Sequence, residues 1–140
     1  MIQRQSKYKS VKTVIDGIKF DSKLESNCYK IIKEHGMLPG TELQRSFELQ
    51  PKFRDHLNKP IRPITYKCDF YIDNHYVIDA KGMLLTDFKM KRKMLLYKYG
   101  VYIICVSSMK KMDDVCVRMK LKQHPAEIID AIKPIKKVKK

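Results

Sequence analysis

The four cysteines of this 140-residue chain, Cys28, Cys68, Cys105 and Cys116, never form a C-x-x-C pair, and the four histidines, His35, His56, His75 and His124, are scattered without finger spacing. A zinc module is excluded on that ground. No apolar run approaches membrane-spanning length and none near the N-terminus has the length of a signal-peptide h-region, so the expectation is a cytoplasmic protein with reduced thiols and no membrane association. No internal repeat is visible. Acidic side chains are scarce: 15 Asp and Glu face 30 Lys and Arg, a formal charge of +15. Such an excess points to a polyanionic partner. It does not name a reaction, because ribosomal-type proteins, membrane-surface proteins and nucleases are all this basic. The length suits one domain over residues 1–140, with a basic arm at 1–12 and a basic tail at 133–140.

What is present reads as alternating strands and helices. The opening MIQRQSKYKS is polar and aperiodic, either a frayed terminus or an arm laid along a phosphate backbone through Lys7 and Lys9. In TVIDGIKF, Asp16-Gly17 sits between two short β-type runs and predicts a type I′ hairpin. A helix is predicted near 22–35, with an apolar stripe of Leu24, Cys28, Ile31 and Ile32 and Gly36 beyond its end. FELQPKF (47–53) reads as a strand, HLNKPIRP as a polar connection with two prolines, and ITYKCDFYI (64–72) and HYVIDA (75–80) as the sheet centre. Residues 86–99 predict a second helix capped by Thr86 and ended by Gly100, and VYIICV (101–106) a buried strand. Helices near 112–122 and 125–132 follow. The order predicts an α/β fold, a central mixed sheet flanked by helices with an N-terminal hairpin.

YVIDAKG, residues 76–82, places an aspartate and a lysine on one face of an apolar strand. Asp79 then faces Asp69 on the neighbouring strand only if Ile72 pairs with Tyr76, which needs an odd loop, Asp73-Asn74-His75. A two-residue Asp73-Asn74 turn puts the two aspartates on opposite faces. Facing carboxylates repel unless a positive charge sits between them, and Lys81 or a hard divalent cation, Mg²⁺ or Mn²⁺ rather than zinc, would supply it. The competing reading is an ordinary interstrand salt bridge. Glu25 also has two readings: the capping partner of Ser22 in an S-x-x-E box, or a carboxylate at the rim of the apolar stripe that reaches the sheet edge. On the second helix Lys89, Arg92 and Lys93 share an outward face and read as backbone contacts or a solvated face, while Lys91 lies on the stripe with Phe88 and Leu95 and extends toward the site. Glu48 and Gln50 alternate onto one face of their strand as auxiliary site groups or plain surface polarity.

Taken together, the blocks DGIKFDSKLE, FELQPKF, ITYKCDF and VIDAKG, followed by LLTDFKMKRK, resemble the PD-(D/E)XK nuclease superfamily. More narrowly they are similar to a family of small phage and prophage proteins of unknown function related to Holliday-junction-resolving endonucleases. The resemblance covers residues 7–99. It departs from the pattern at Cys68, where the superfamily has proline, and at Asp79, where Glu is commoner. It implies a restriction-endonuclease-like core in which Asp69, Asp79 and the Ala80 carbonyl bind Mg²⁺, with Mn²⁺ as a substitute and no small-molecule cofactor. Glu25 would hold a metal-bound water or a second ion, and Lys81 would orient the attacking water. The implied activity is cleavage of four-way DNA junctions to 5′-phosphate and 3′-hydroxyl ends by a homodimer, in the host cytoplasm if the protein is phage-encoded. A nicking or restriction-like nuclease without junction preference, and a non-catalytic basic nucleic-acid-binding protein, remain as alternatives.

Overall fold

The computed structural model describes residues 12–81 and 84–133. Lys7 and Lys9, and nearly all of the basic arm and tail, lie outside the described residues. The hairpin forms as its turn chemistry requires: β1 (Thr13–Ile15) and β2 (Ile18–Phe20) are joined by Asp16 and Gly17, both at positive φ. Helix α1 (Lys23–Glu34) follows. Ser22 caps it by accepting the Glu25 amide at 3.0 Å, and Gly36 leaves it in the left-handed region.

After a 3₁₀ turn, Leu38–Gly40, the chain runs through β3 (Thr41–Leu43) and β4 (Ser46–Gln50) to a short pair, β5 (Phe53–Arg54) and β6 (Pro60–Ile61). It then returns through β7 (Ile64–Lys67) and β8 (Phe70–Ile72) to β9 (Tyr76–Ala80). β3 pairs with β8 and β4 with β7, so the outgoing and returning chains form one long hairpin. That hairpin kinks where Gln44 takes a φ of 58° and where Cys68 and Asp69 interrupt the predicted 64–72 strand. Two backbone bonds cross the kink, Gln44 N–H to Asp69 O and Cys68 N–H to Arg45 O. β3 was not expected, being too short to display an alternating pattern.

The decisive register is that of β8 and β9. Ile72 pairs with Tyr76, Tyr71 with Val77 and Phe70 with Ile78, across the loop Asp73-Asn74-His75, with Asp73 and Asn74 both at positive φ. The loop is the odd one. From β9 the chain crosses through α2 (Thr86–Tyr99) to β10 (Ile103–Val106), which pairs parallel to β9, and continues into α3 (Met109–Lys120) and α4 (Pro125–Ile132). Leu85, not Thr86, occupies the α2 cap position and no side chain caps it, whereas Gly100 ends the helix at φ 67° as expected. Ser108 starts α3 three residues ahead of the predicted boundary by accepting the Lys111 amide.

The sheet order is β10-β9-β8-β3. Alternation divides its side chains between two cores. Phe70, Ile72, Ile78, Ile104 and Val106 pack against α1 and α3, with Ile128 of α4, while Val77 and Ile103 on the other face pack with Phe47, Tyr66, Phe88 and Leu95. The fold is thus mixed α/β, a mixed sheet between helices with an N-terminal hairpin. Among the described residues no helix is long and apolar enough to cross a membrane.

Candidate active site

Asp79 lies on the second of those faces, at the end of β9, and is only 3% exposed. An isolated carboxylate there would be costly, and three groups answer it. Tyr66 Oη donates to Asp79 Oδ2 at 2.7 Å, Lys81 Nζ stands 3.6 Å from the same oxygen, and the Asp69 carboxyl lies next to it from just ahead of β8. Asp69 itself has left the ladder at the kink. Its Oδ2 accepts the Ala80 amide at 2.8 Å, so a side chain does what a strand carbonyl would otherwise do. Burial first, then the hydrogen bond with and charge of Asp79, and then the charge of Glu25, push the Asp69 carboxyl up to about 8. A neutral Asp69 carboxyl is favoured beside Asp79.

Glu25 reaches the same neighbourhood from the first turn of α1. Gln44 Nε2 donates to its Oε1 at 3.0 Å, and the side chain is almost wholly buried. Burial raises the Glu25 pKa, the charges of Asp21 and Asp79 raise it further, and bonds from the Asp21 amide and Gln44 partly oppose them. So Glu25 is engaged beyond helix capping. Ser22 does bond the Glu25 amide, but the carboxylate is held by Gln44. Among the described residues no three His, Cys, Asp or Glu side chains gather closely enough to form a metal cluster. The donor set at the centre is the Asp69–Asp79 pair, with Ala80 at the end of the same strand.

Lys81 joins two basic clefts. On one side it shares walls with Tyr66, Lys67, Phe88 and Lys91, its ammonium 4.7 Å from the centre of the Phe88 ring. On the other, a cleft of about 220 Å³ is lined by Lys81, Arg92, Lys111 and Lys133 with Cys105 and Ser107, and among the described residues no carboxylate contributes to its wall. Lys91 therefore extends toward the site as its place on the helix stripe implied. Arg92 is not as outward as Lys89 and Lys93: it is half-buried, its guanidinium 5.9 Å from the Phe88 ring centre, and it lines the second cleft as well as a neighbouring one that it shares with Lys93. Lys89 and Lys93 are exposed.

Glu48 and Gln50 do not share a face. A bulge lies between them, so Glu48 pairs with Thr65 and Gln50 with Ile64, and the extra residue reverses the alternation. Glu48 is exposed on the side away from Tyr66, and its carbonyl accepts Lys98 Nζ and Tyr99 Oη. Five residues at the site escaped the sequence reading: Tyr66, Lys67, Gln44, Lys111 and Lys133. Only Tyr66 had a local signal, as the aromatic of Y-x-x-D-F.

Residues 5–113 match the family described as "Protein of unknown function (DUF1064)". The chain belongs to the DUF1064 family. That family carries no assigned reaction, so membership names neither a nuclease superfamily nor a substrate. No curated protein matches this DUF1064 chain, and no solved structure does. Both aspartates, Lys81, Glu25 and Gln44 lie inside the matched segment, whereas α4 and Lys133 lie beyond it.

Proposed function

We propose that this DUF1064 protein is a metal-dependent endodeoxyribonuclease acting on branched DNA, four-way junctions above all, that leaves 5′-phosphate and 3′-hydroxyl ends. The observation that carries the reading is the meeting of Asp69 and the buried Asp79 beside Lys81, whose side chain lines a basic cleft on either side. Two neighbouring, desolvated carboxylates fit a hard divalent cation, Mg²⁺ or Mn²⁺, because both donors are oxygen and the cation would relieve the repulsion that raises the Asp69 pKa. When bound, such an ion lowers the pKa of its water and offsets charge on the phosphoryl group during in-line attack.

The chain's own residues divide the remaining work. Asp69 and Asp79 would hold the ion with the Ala80 carbonyl as a further oxygen, and Tyr66 fixes the Asp79 carboxylate in one orientation. Gln44 holds Glu25 within electrostatic reach of the pair, where it would hold a water or a second ion. Lys81 orients the attacking water and faces the charge that develops on phosphorus. Arg92, Lys111 and Lys133 on one side, and Lys67 and Lys91 on the other, would take the flanking phosphates. Symmetric cuts in two strands need two such sites, which a twofold homodimer supplies.

Tyr66→Phe tests the orientation role. Losing one hydrogen bond to a charged oxygen lowers kcat about tenfold with KM for DNA within about twofold, read from single-turnover and steady-state cleavage. The function itself is tested by incubating a labelled four-way junction and the matching linear duplex with Mg²⁺ or with chelator. Paired, symmetric, metal-dependent cuts in the junction support the reading. Equal cutting of both substrates replaces it with a nicking or restriction-like enzyme, and binding without cutting leaves a nucleic-acid-binding protein whose Asp79–Lys81 contact is only a salt bridge.

A further inference from the structure

Residues 51–63 are ordered without being buried. Every one is exposed except the half-buried Asp55, and β5 and β6 pack chiefly on each other. Short-range bonds shape the tip. Asp55 Oδ1 accepts the amides of Leu57 and Lys59, both at 2.9 Å, the Asp55 amide donates to Lys59 O, and Arg54 Nη1 donates to Asn58 O, with Asn58 at φ 62°. Pro51 and Pro63, which have no N–H to give a ladder, separate this ribbon from the β4–β7 pair. An isolated two-stranded ribbon is marginal in water, so a tip this well defined contributes little to the fold's own stability.

Its chemistry is specific. Lys52, Arg54, Lys59 and Arg62 are cationic, and the single carboxylate, that of Asp55, is taken up by backbone amides. Among these cations stand three exposed apolar side chains: Phe53, 51% exposed, its paired neighbour Ile61, and Leu57 in the turn, 63% exposed. The ribbon also springs from the site. Ile61 is five residues before Tyr66, which touches Asp79, so at most about 17 Å of extended chain separates them.

Cations around an apolar tip complement one partner, a polyanion with apolar faces uncovered. Two-stranded ribbons fit a DNA groove, and apolar wedges such as Phe, Leu and Ile pack against unstacked base steps, which a branch point offers and a continuous duplex does not. We infer that the β5–β6 ribbon is the element by which this protein distinguishes branched from continuous DNA, Lys52, Lys59 and Arg62 contacting phosphates and Phe53 and Leu57 contacting exposed base faces. The inference rests on the nuclease reading of the neighbouring site and names its substrate selectivity.

The test is equilibrium binding in chelator, by fluorescence anisotropy, of a labelled four-way junction and the matching duplex at several salt concentrations. Phe53→Ala with Leu57→Ala is expected to raise the junction Kd about tenfold and the duplex Kd less than about twofold, since base contacts specify and phosphate contacts do not. Lys52→Ala, Lys59→Ala and Arg62→Ala together weaken both substrates alike and flatten the salt dependence by about two to three in slope. Both sets alter exposed side chains, and an unchanged thermal midpoint verifies that each variant is folded. If wild type prefers the junction and both variants keep its affinities, the ribbon inference falls while the nuclease reading stands. Variants that turn a dimer into a monomer by sedimentation would give the ribbon to a second copy of the chain and overturn the inference as well. Wild type that binds neither DNA overturns both.

Discussion

Asp79→Asn is expected to reduce metal-dependent cleavage of a four-way junction by about a thousandfold or more while leaving the junction Kd, measured in chelator, within about twofold. The substitution keeps the volume of the side chain and an oxygen to receive Tyr66 Oη. It removes the negative charge that Lys81 faces and that a cation would need. A buried position with its partners retained should leave the fold intact, so a loss of rate cannot be ascribed to unfolding if the thermal midpoint is unchanged or raised. The phosphate contacts assigned to the clefts are untouched, which is why affinity is expected to survive. Full activity in Asp79→Asn would remove Asp79 from the machinery and with it the site as drawn.

Asp69→Asn is expected to stabilise the metal-free protein at pH 8 by about 2 kcal/mol while also abolishing cleavage, because a carboxylate placed for function strains the fold that carries it. Burial, and then the bond with and charge of Asp79, hold the Asp69 pKa up to about 8, whereas an unfolded chain releases this proton near pH 4. Between those values the unfolded chain binds fewer protons than the folded one. Stability from this group is therefore full below about pH 4 and falls as pH rises toward 8. Glu25, also raised, adds to the fall in the same direction. Urea midpoints of wild type in chelator should drop from pH 5 to pH 8, with a much shallower drop in Asp69→Asn, whose amide oxygen still serves the Ala80 N–H. Mg²⁺ added at pH 8 should raise the wild-type midpoint and leave the variant's in place. A variant less stable than wild type at pH 8 would mean that Asp69 acts mainly as a backbone cap and that its repulsion with Asp79 is minor.

Much of the scaffold could be read locally. The α2 range and its Gly100 end, the α4 range, and the Asp16-Gly17 hairpin emerged as expected because caps, turn residues and helical period act over a few positions. Strand alternation likewise set Val77, Asp79 and Lys81 on one face of β9. Arg92 was misplaced for a related reason: its position on the helix allows an outward direction, and the choice between solvent and the Phe88 ring depends on the cleft that α2 forms with β10 and α4.

Residue order alone determined which carboxylates and which lysine were available, and that Asp69 and Asp79 meet only across an odd loop. It could not select that loop, since Asp73 and Asn74 each accept positive φ and an even turn satisfies the same local preferences. Tertiary structure decided it, through the burial of Ile72 and Ile78 against α1 and α3, which a one-residue slip would reverse. Tertiary structure also broke the 64–72 strand at Cys68–Asp69. In an unbroken strand Tyr66 and Asp69 point to opposite faces. The kink opposite Gln44 brings both onto Asp79, because alternation is a property of a regular strand and a single left-handed residue in the neighbouring strand is enough to shift its phase.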